Sequence, residues 1–151
     1  MTNKRLSKRL VMNRHQYKPD LSVRHSPRVS SQRRAMVSRI CKRHEMPEAD
    51  VLRYSLEAAV LTSGEKLERA TSSDPGQLDD MMTVRTSRAI DRRVDNLCRN
   101  SPNVLKTEIL RALLEQMLGV AERRGMAYVM RLREEALVET QNPKALKSGT
   151  R

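Results

Sequence analysis

Met82 to Leu118 reads MTVRTSRAIDRRVDNLCRNSPNVLKTEILRALLEQML. Its first six residues alternate. Val84 is set to face a core while Thr83 and Arg85 face away, the period of two that marks a strand with one buried side. Ile90, Val94, Leu97 and Cys98 then recur on one face of a helix. Ser101-Pro102-Asn103 breaks that helix. Thr107 is placed to cap a second helix, whose apolar face is Ile109, Leu110, Leu113, Leu114, Met117 and Leu118. So short a stretch cannot close a core. Its strand has no partner, and two helices cover only one side, so the pattern asks for a second copy.

A second copy lies upstream. Arg28 to Val60 reads RVSSQRRAMVSRICKRHEMPEADVLRYSLEAAV. Laying Cys41 on Cys98, an offset of 57, puts Val37 on Val94, Ile40 on Leu97, Arg28 on Arg85 and Ser30 on Ser87. The same offset puts Leu52 on Ile109, Leu56 on Leu113 and Val60 on Met117. The turn can shift by one residue, because Val51-Leu52 also matches Ile109-Leu110. The match is one of pattern more than of letters.

The order of elements resembles the ribbon-helix-helix family of DNA-binding proteins, the Arc/MetJ class. The residues that carry the resemblance are Thr83 to Ser87, where the family has its ribbon, and Asn103 to Leu114 over the turn and second helix. It implies a mainly α fold with a short two-stranded antiparallel β-ribbon over a four-helix core. With two copies, the chain is expected to be a tandem pseudodimer: repeat one at 24–70, a linker at 71–79 and repeat two at 80–122. Pairing between two chains in a homodimer solves the same burial problem. An additional helix and a polar tail are expected over 123–151.

The charge agrees with a polyanionic partner. Of 151 residues, 30 are Lys or Arg against 18 Asp or Glu, a net charge of +12, which favours nucleic acid first and an anionic membrane surface second. Aromatic residues are only 2%, all Tyr. This argues against readers of single strands that stack bases on aromatic platforms and suits duplex backbone and groove edges better. No apolar run is long enough for a membrane span, and no secretory signal is visible, so a cytoplasmic protein is expected.

Residues 1–23 carry Lys4, Arg5, Lys8 and Arg9 and read as a basic arm suited to phosphate contact. Pro27 requires its nitrogen to face out of the ribbon. Glu65 to Ala70 either extends the second helix or starts another, and Thr71 to Gly76 reads as linker. Met126 to Val138 has helical periodicity. It is expected to pack on the core, with capture of a partner protein as the alternative.

A β-ribbon fits the major groove, and alternation sends every second side chain toward the bases. The outward set is Met81, Thr83 and Arg85, with Arg24, Ser26 and Arg28 as counterparts. The resemblance adds that these ribbon positions read bases. The competing view makes them ordinary exposed strand residues; both copies, however, offer hydroxyl then Arg at matching places. The second-helix N-termini are expected to seat phosphates. Lys106 and Thr107 suit this, whereas Glu48 and Asp50 do not, so a stronger grip at the second copy is expected. Asp50 is expected to cap its helix.

Enzymatic readings fare badly. Cys41 and His44 have a metal-like spacing, but two ligands do not close a zinc site. There is no Gly-rich phosphate loop, and Glu134-Glu135 reads as a solvated face. No cofactor or metal is expected. Both cysteines read as packing residues, without a disulfide. The expected function is sequence-selective duplex DNA binding. The tandem arrangement and basic arm resemble an accessory factor in plasmid or T-DNA transfer; an autoregulating repressor or antitoxin, and a structural RNA-binding protein, are the alternatives.

Overall fold

The structure, a computed structural model, describes residues 20–64 and 77–141. The first segment holds β1 (Val23–His25), β2 (Arg28–Val29), α1 (Ser31–His44) and α2 (Glu48–Thr62). The second holds β3 (Asp80–Met81), β4 (Val84–Thr86), α3 (Arg88–Arg99), α4 (Lys106–Arg124) and α5 (Met126–Gln141). The protein is thus mainly helical with a short two-stranded antiparallel ribbon. Each segment runs strand, helix, turn, helix, and α5 is extra.

The strands pair within the chain. Val23, Arg24 and His25 face Thr86, Arg85 and Val84. Arg28 and Val29 face Met81 and Asp80 in the same register. Between these two ladders lies Pro27. Its carbonyl accepts the Met82 N–H at 3.1 Å, so this is a hydrogen-bonding pair in which the proline nitrogen also points at its partner. The expected outward-facing nitrogen is therefore corrected. Proline has no N–H to return, one rung is lost, and the ribbon divides there. Pro27, Val29, Met82, Val84 and Thr86 are buried beneath the ribbon.

The two halves are built alike in detail. Ser30 and Ser87 cap α1 and α3. Their Oγ atoms accept the N–H of Arg33 (3.1 Å) and of Ile90 (3.3 Å), with nearly identical cap conformations at φ −79°, ψ 161° and φ −76°, ψ 162°. A serine hydroxyl satisfies an otherwise orphaned donor in the first turn. At the helix–helix turns, Glu45 (φ 51°) and Asn103 (φ 73°) take the left-handed conformation. These two residues are 58 apart, one more than the cysteines, so the second turn carries the extra residue. The second helices follow the shifted register. Val51, Leu52, Ser55, Leu56 and Glu57 are buried, as are Ile109, Leu110, Leu113, Leu114 and Glu115. The 57-residue matches of Leu52, Leu56 and Val60 are corrected accordingly.

Thr107 and Asp50 are not caps. Pro47 and Leu105 occupy the cap positions of α2 and α4, and neither offers a side-chain acceptor. Gly119 is carried inside α4.

One core joins both halves and takes in α5. Val37, Ile40, Leu56, Val94, Leu97, Leu114 and Leu118 are buried together, with Met126 and Val129 of α5 added to them. The α5 helix lies chiefly against α2. Arg133 Nε donates to Glu57 Oε2 at 3.0 Å, and its guanidinium lies 5.1 Å from the Tyr54 ring centre. The expected packing role of Met126 to Val138 describes its inner face; Val138 itself is 63% exposed.

Candidate nucleic-acid interface

Alternation along an antiparallel pair sends Arg24, Ser26, Arg28, Met81, Thr83 and Arg85 to one face, and all six are exposed. The register sets their neighbours. Arg24 stands directly opposite Arg85, and Arg28 stands opposite Met81. Ser26 Oγ and Thr83 Oγ1 lie 3.3 Å apart at the centre. These are the non-hydrogen-bonding pairs, where side chains approach most closely. Like charges directly opposite are unfavourable, by on the order of 0.5 kcal/mol. Among the described residues no carboxylate pairs with Arg24, Arg28 or Arg85.

Arginines from the helices brace the ribbon at one end. Arg34 Nη1 of α1 donates to the Met81 carbonyl at 3.0 Å. Arg111 Nε of α4 donates to the Arg28 carbonyl at 2.6 Å. Each ties one half's helix to the other half's strand. Neither was expected to serve the ribbon, because a backbone carbonyl leaves no mark in a side-chain pattern. Beside the β4 edge runs a cleft of about 440 Å³ whose lining mixes Arg34, Arg53 and Arg85 with the carboxylates Glu48 and Asp50 and with Met81. It sets the α2 N-terminus next to the exposed face.

Two ion-pair clusters of opposite polarity tie each first helix to the start of its second. In the first half, Arg34 meets Glu48 at 2.7 Å. In the second, the Lys106 ammonium lies 2.8 Å from both Asp91 and Asp95, and His25 Nε2 of β1 is 3.0 Å from Asp91. Burial pushes the Asp91 carboxyl up, but Lys106 and His25 more than reverse this, so it titrates below its ordinary range. Burial likewise lowers Lys106, and the two carboxylates outweigh that and raise it. Lys106 does stand at the start of α4, yet two carboxylates hold its charge. This weakens it as a phosphate seat and weakens the expected stronger grip of the second half. Thr107, beside it, is exposed.

Lys4, Arg5, Lys8 and Arg9 lie outside the described residues, as do Glu65 to Ala70 and the linker through Gly76. Cys41 and Cys98 are free, half-buried thiols. Burial, then nearby Glu48, pushes Cys41 up; burial pushes Cys98 up. Among the described residues no three His, Cys, Asp or Glu side chains are grouped as a metal site, and no helix is long and apolar enough to cross a membrane. No family model matches this chain, and comparison with curated proteins and with solved structures likewise yields no match.

Proposed function

We propose that the chain is a tandem ribbon-helix-helix protein that binds duplex DNA by laying its ribbon in the major groove. The observation that carries this is the exposed Arg24–Arg85 pair, set side by side on the outer face of a two-stranded ribbon with no ion-pair partner among the described residues. Two guanidiniums held together at some cost in the free protein gain most from an anionic or acceptor-rich partner. A ribbon is narrow enough for the major groove, where guanine offers O6 and N7 to a guanidinium. The hydroxyls of Ser26 and Thr83 between the arginine positions suit several base edges. Few aromatic side chains and a net charge of +12 favour the duplex over single strands. By architecture, the biological role is that of an accessory factor in DNA transfer or processing, with a repressor as the second candidate. An antitoxin that captures its partner through Met126–Val138 has less surface to offer, since Met126 and Val129 are buried.

The test is equilibrium binding of the chain and of Arg85→Ala to a random-sequence duplex pool, with structured RNA as competitor. Duplex binding that resists RNA and loses its sequence preference in Arg85→Ala supports the reading. Equal competition by RNA, or a preference untouched by the substitution, overturns it.

A further inference from the structure

The two strands carry different residues at equivalent places. Ser26 faces Thr83 across the ribbon, and the same two residues are equivalent in the two copies, 57 apart. The local two-fold axis of the ribbon therefore passes through this pair. It exchanges Arg28 with Arg85 and Arg24 with Met81. The first exchange preserves chemistry. The second does not, for Met81 is an apolar side chain, 51% exposed, on an otherwise polar face. One end of the ribbon thus presents Arg24 beside Arg85, and the other presents Arg28 beside Met81. The Met81 end is not frayed, because Arg34 and Arg111 hold the carbonyls of Met81 and Arg28. Met81 is presented outward on a braced strand while its neighbour Met82 fills the core.

Resting on the duplex-DNA reading above, we propose that the chain recognises a site whose halves agree at the Arg28 and Arg85 steps and differ at the Arg24 and Met81 steps. The half beneath Arg24 carries guanine at that step, and the half beneath Met81 carries thymine. The protein consequently sits on its site in one orientation. The chemistry is that of the major groove: guanidinium pairs with O6 and N7 of guanine, and an apolar side chain packs on the thymine methyl. Turning the protein end for end sets Met81 against the polar edge of guanine and leaves Arg24 without its acceptors. Each misplaced step weakens binding about tenfold, so the reversed complex is disfavoured about a hundredfold.

Two substitutions on exposed side chains make the ribbon symmetric. Met81→Arg places arginine at both outer positions, and Arg24→Met places methionine at both. The experiment is selection and sequencing from a random duplex library with the full chain and each variant, beside a thermal melt showing that all three fold. The expected result is an asymmetric motif for the natural chain, a palindrome with guanine at both outer steps for Met81→Arg, and one with thymine at both for Arg24→Met. A palindromic motif for the natural chain, or asymmetry that survives both substitutions, overturns the proposal while leaving duplex recognition standing. Failure of all three folded proteins to retain any duplex motif overturns the underlying reading and the proposal with it.

Discussion

At the scale of single residues, the most exacting position is Glu57. Its side chain is 7% exposed, and the 22% exposed Arg133 answers its charge from α5. A buried carboxylate stripped of its partner keeps its desolvation penalty, whereas removing both charges together is often neutral. Arg133→Met is therefore expected to lower unfolding stability by about 3 kcal/mol, and Arg133→Met with Glu57→Met to recover most of that loss. Urea denaturation of the three proteins measures it. A double variant as unstable as the single would show that Arg133 acts through its packing on Tyr54 instead. Gly125 is the second such position. It joins α4 to α5 at φ 94°, and a Cβ there would come 3.3 Å from His44 Cε1. Gly125→Ala is expected to cost roughly 1–2 kcal/mol from the backbone alone. The cost should persist in a His44→Ala background, because trimming the ring relieves the contact but not the positive φ. A thermal-melt series across the four combinations separates the two.

At the scale of elements, the two halves solve one problem with opposite charges. Arg34 of α1 and Asp91 of α3 are equivalent by the first-helix offset, and Glu48 of α2 and Lys106 of α4 by the second-helix offset. Each pair ties a first helix to the start of a second helix across the turn. The reversal is readable in the letters, but only once the extra residue in the second turn is placed; at a constant offset Glu48 falls on Leu105 and the relation vanishes. The Arg34–Glu48 pair is more than a third exposed on both sides, so its value is below about 1 kcal/mol. Arg34→Glu is expected to lose that much through like-charge repulsion with Glu48, besides its bond to the Met81 carbonyl, and Arg34→Glu with Glu48→Lys to regain the ion-pair part alone. A fully additive double variant would show that the pair is uncoupled. The second-half cluster should respond to pH. Asp91 titrates below its ordinary range, so its contribution is complete above about pH 3.9, the unfolded aspartate value, and fades as pH falls through the lowered folded value. Lys106 titrates above its ordinary range, so its contribution is complete below about pH 10.4 and fades as pH rises through the raised folded value. Asp91→Asn is expected to flatten the acid limb of the melting temperature against pH. An unchanged acid limb would remove Asp91 from that role.

At the scale of the whole molecule, one chain supplies both strands of the ribbon and both sides of the core, and the parts of this that were legible in the sequence have a common cause. Val37, Ile40, Val94 and Leu97 repeat at one spacing because the core demands apolar groups at equivalent places, and Thr83 and Arg85 alternate with Val84 because a ribbon has two faces. What escaped the letters depends on backbone atoms. The division of the ribbon at Pro27, the start of the second helices at Pro47 and Leu105 without side-chain caps, and the carbonyl contacts of Arg34 and Arg111 all turn on where a main-chain N–H or C=O points. Lys106 shows why that matters for function. From its place at the start of α4 it suits a phosphate, yet Asp91 and Asp95 hold its ammonium. If the proposed DNA complex neutralises roughly seven phosphates, the logarithm of affinity should fall with the logarithm of salt at a slope near −6. A free lysine on a phosphate would contribute about one unit of that slope. Lys106→Gln is expected instead to leave the slope unchanged within that unit while lowering the melting temperature, because it removes the ammonium that Asp91 and Asp95 share and leaves Asp91 with His25 alone. A slope that drops by a full unit, with the melting temperature preserved, would place Lys106 on the DNA and show that binding releases it from Asp91 and Asp95.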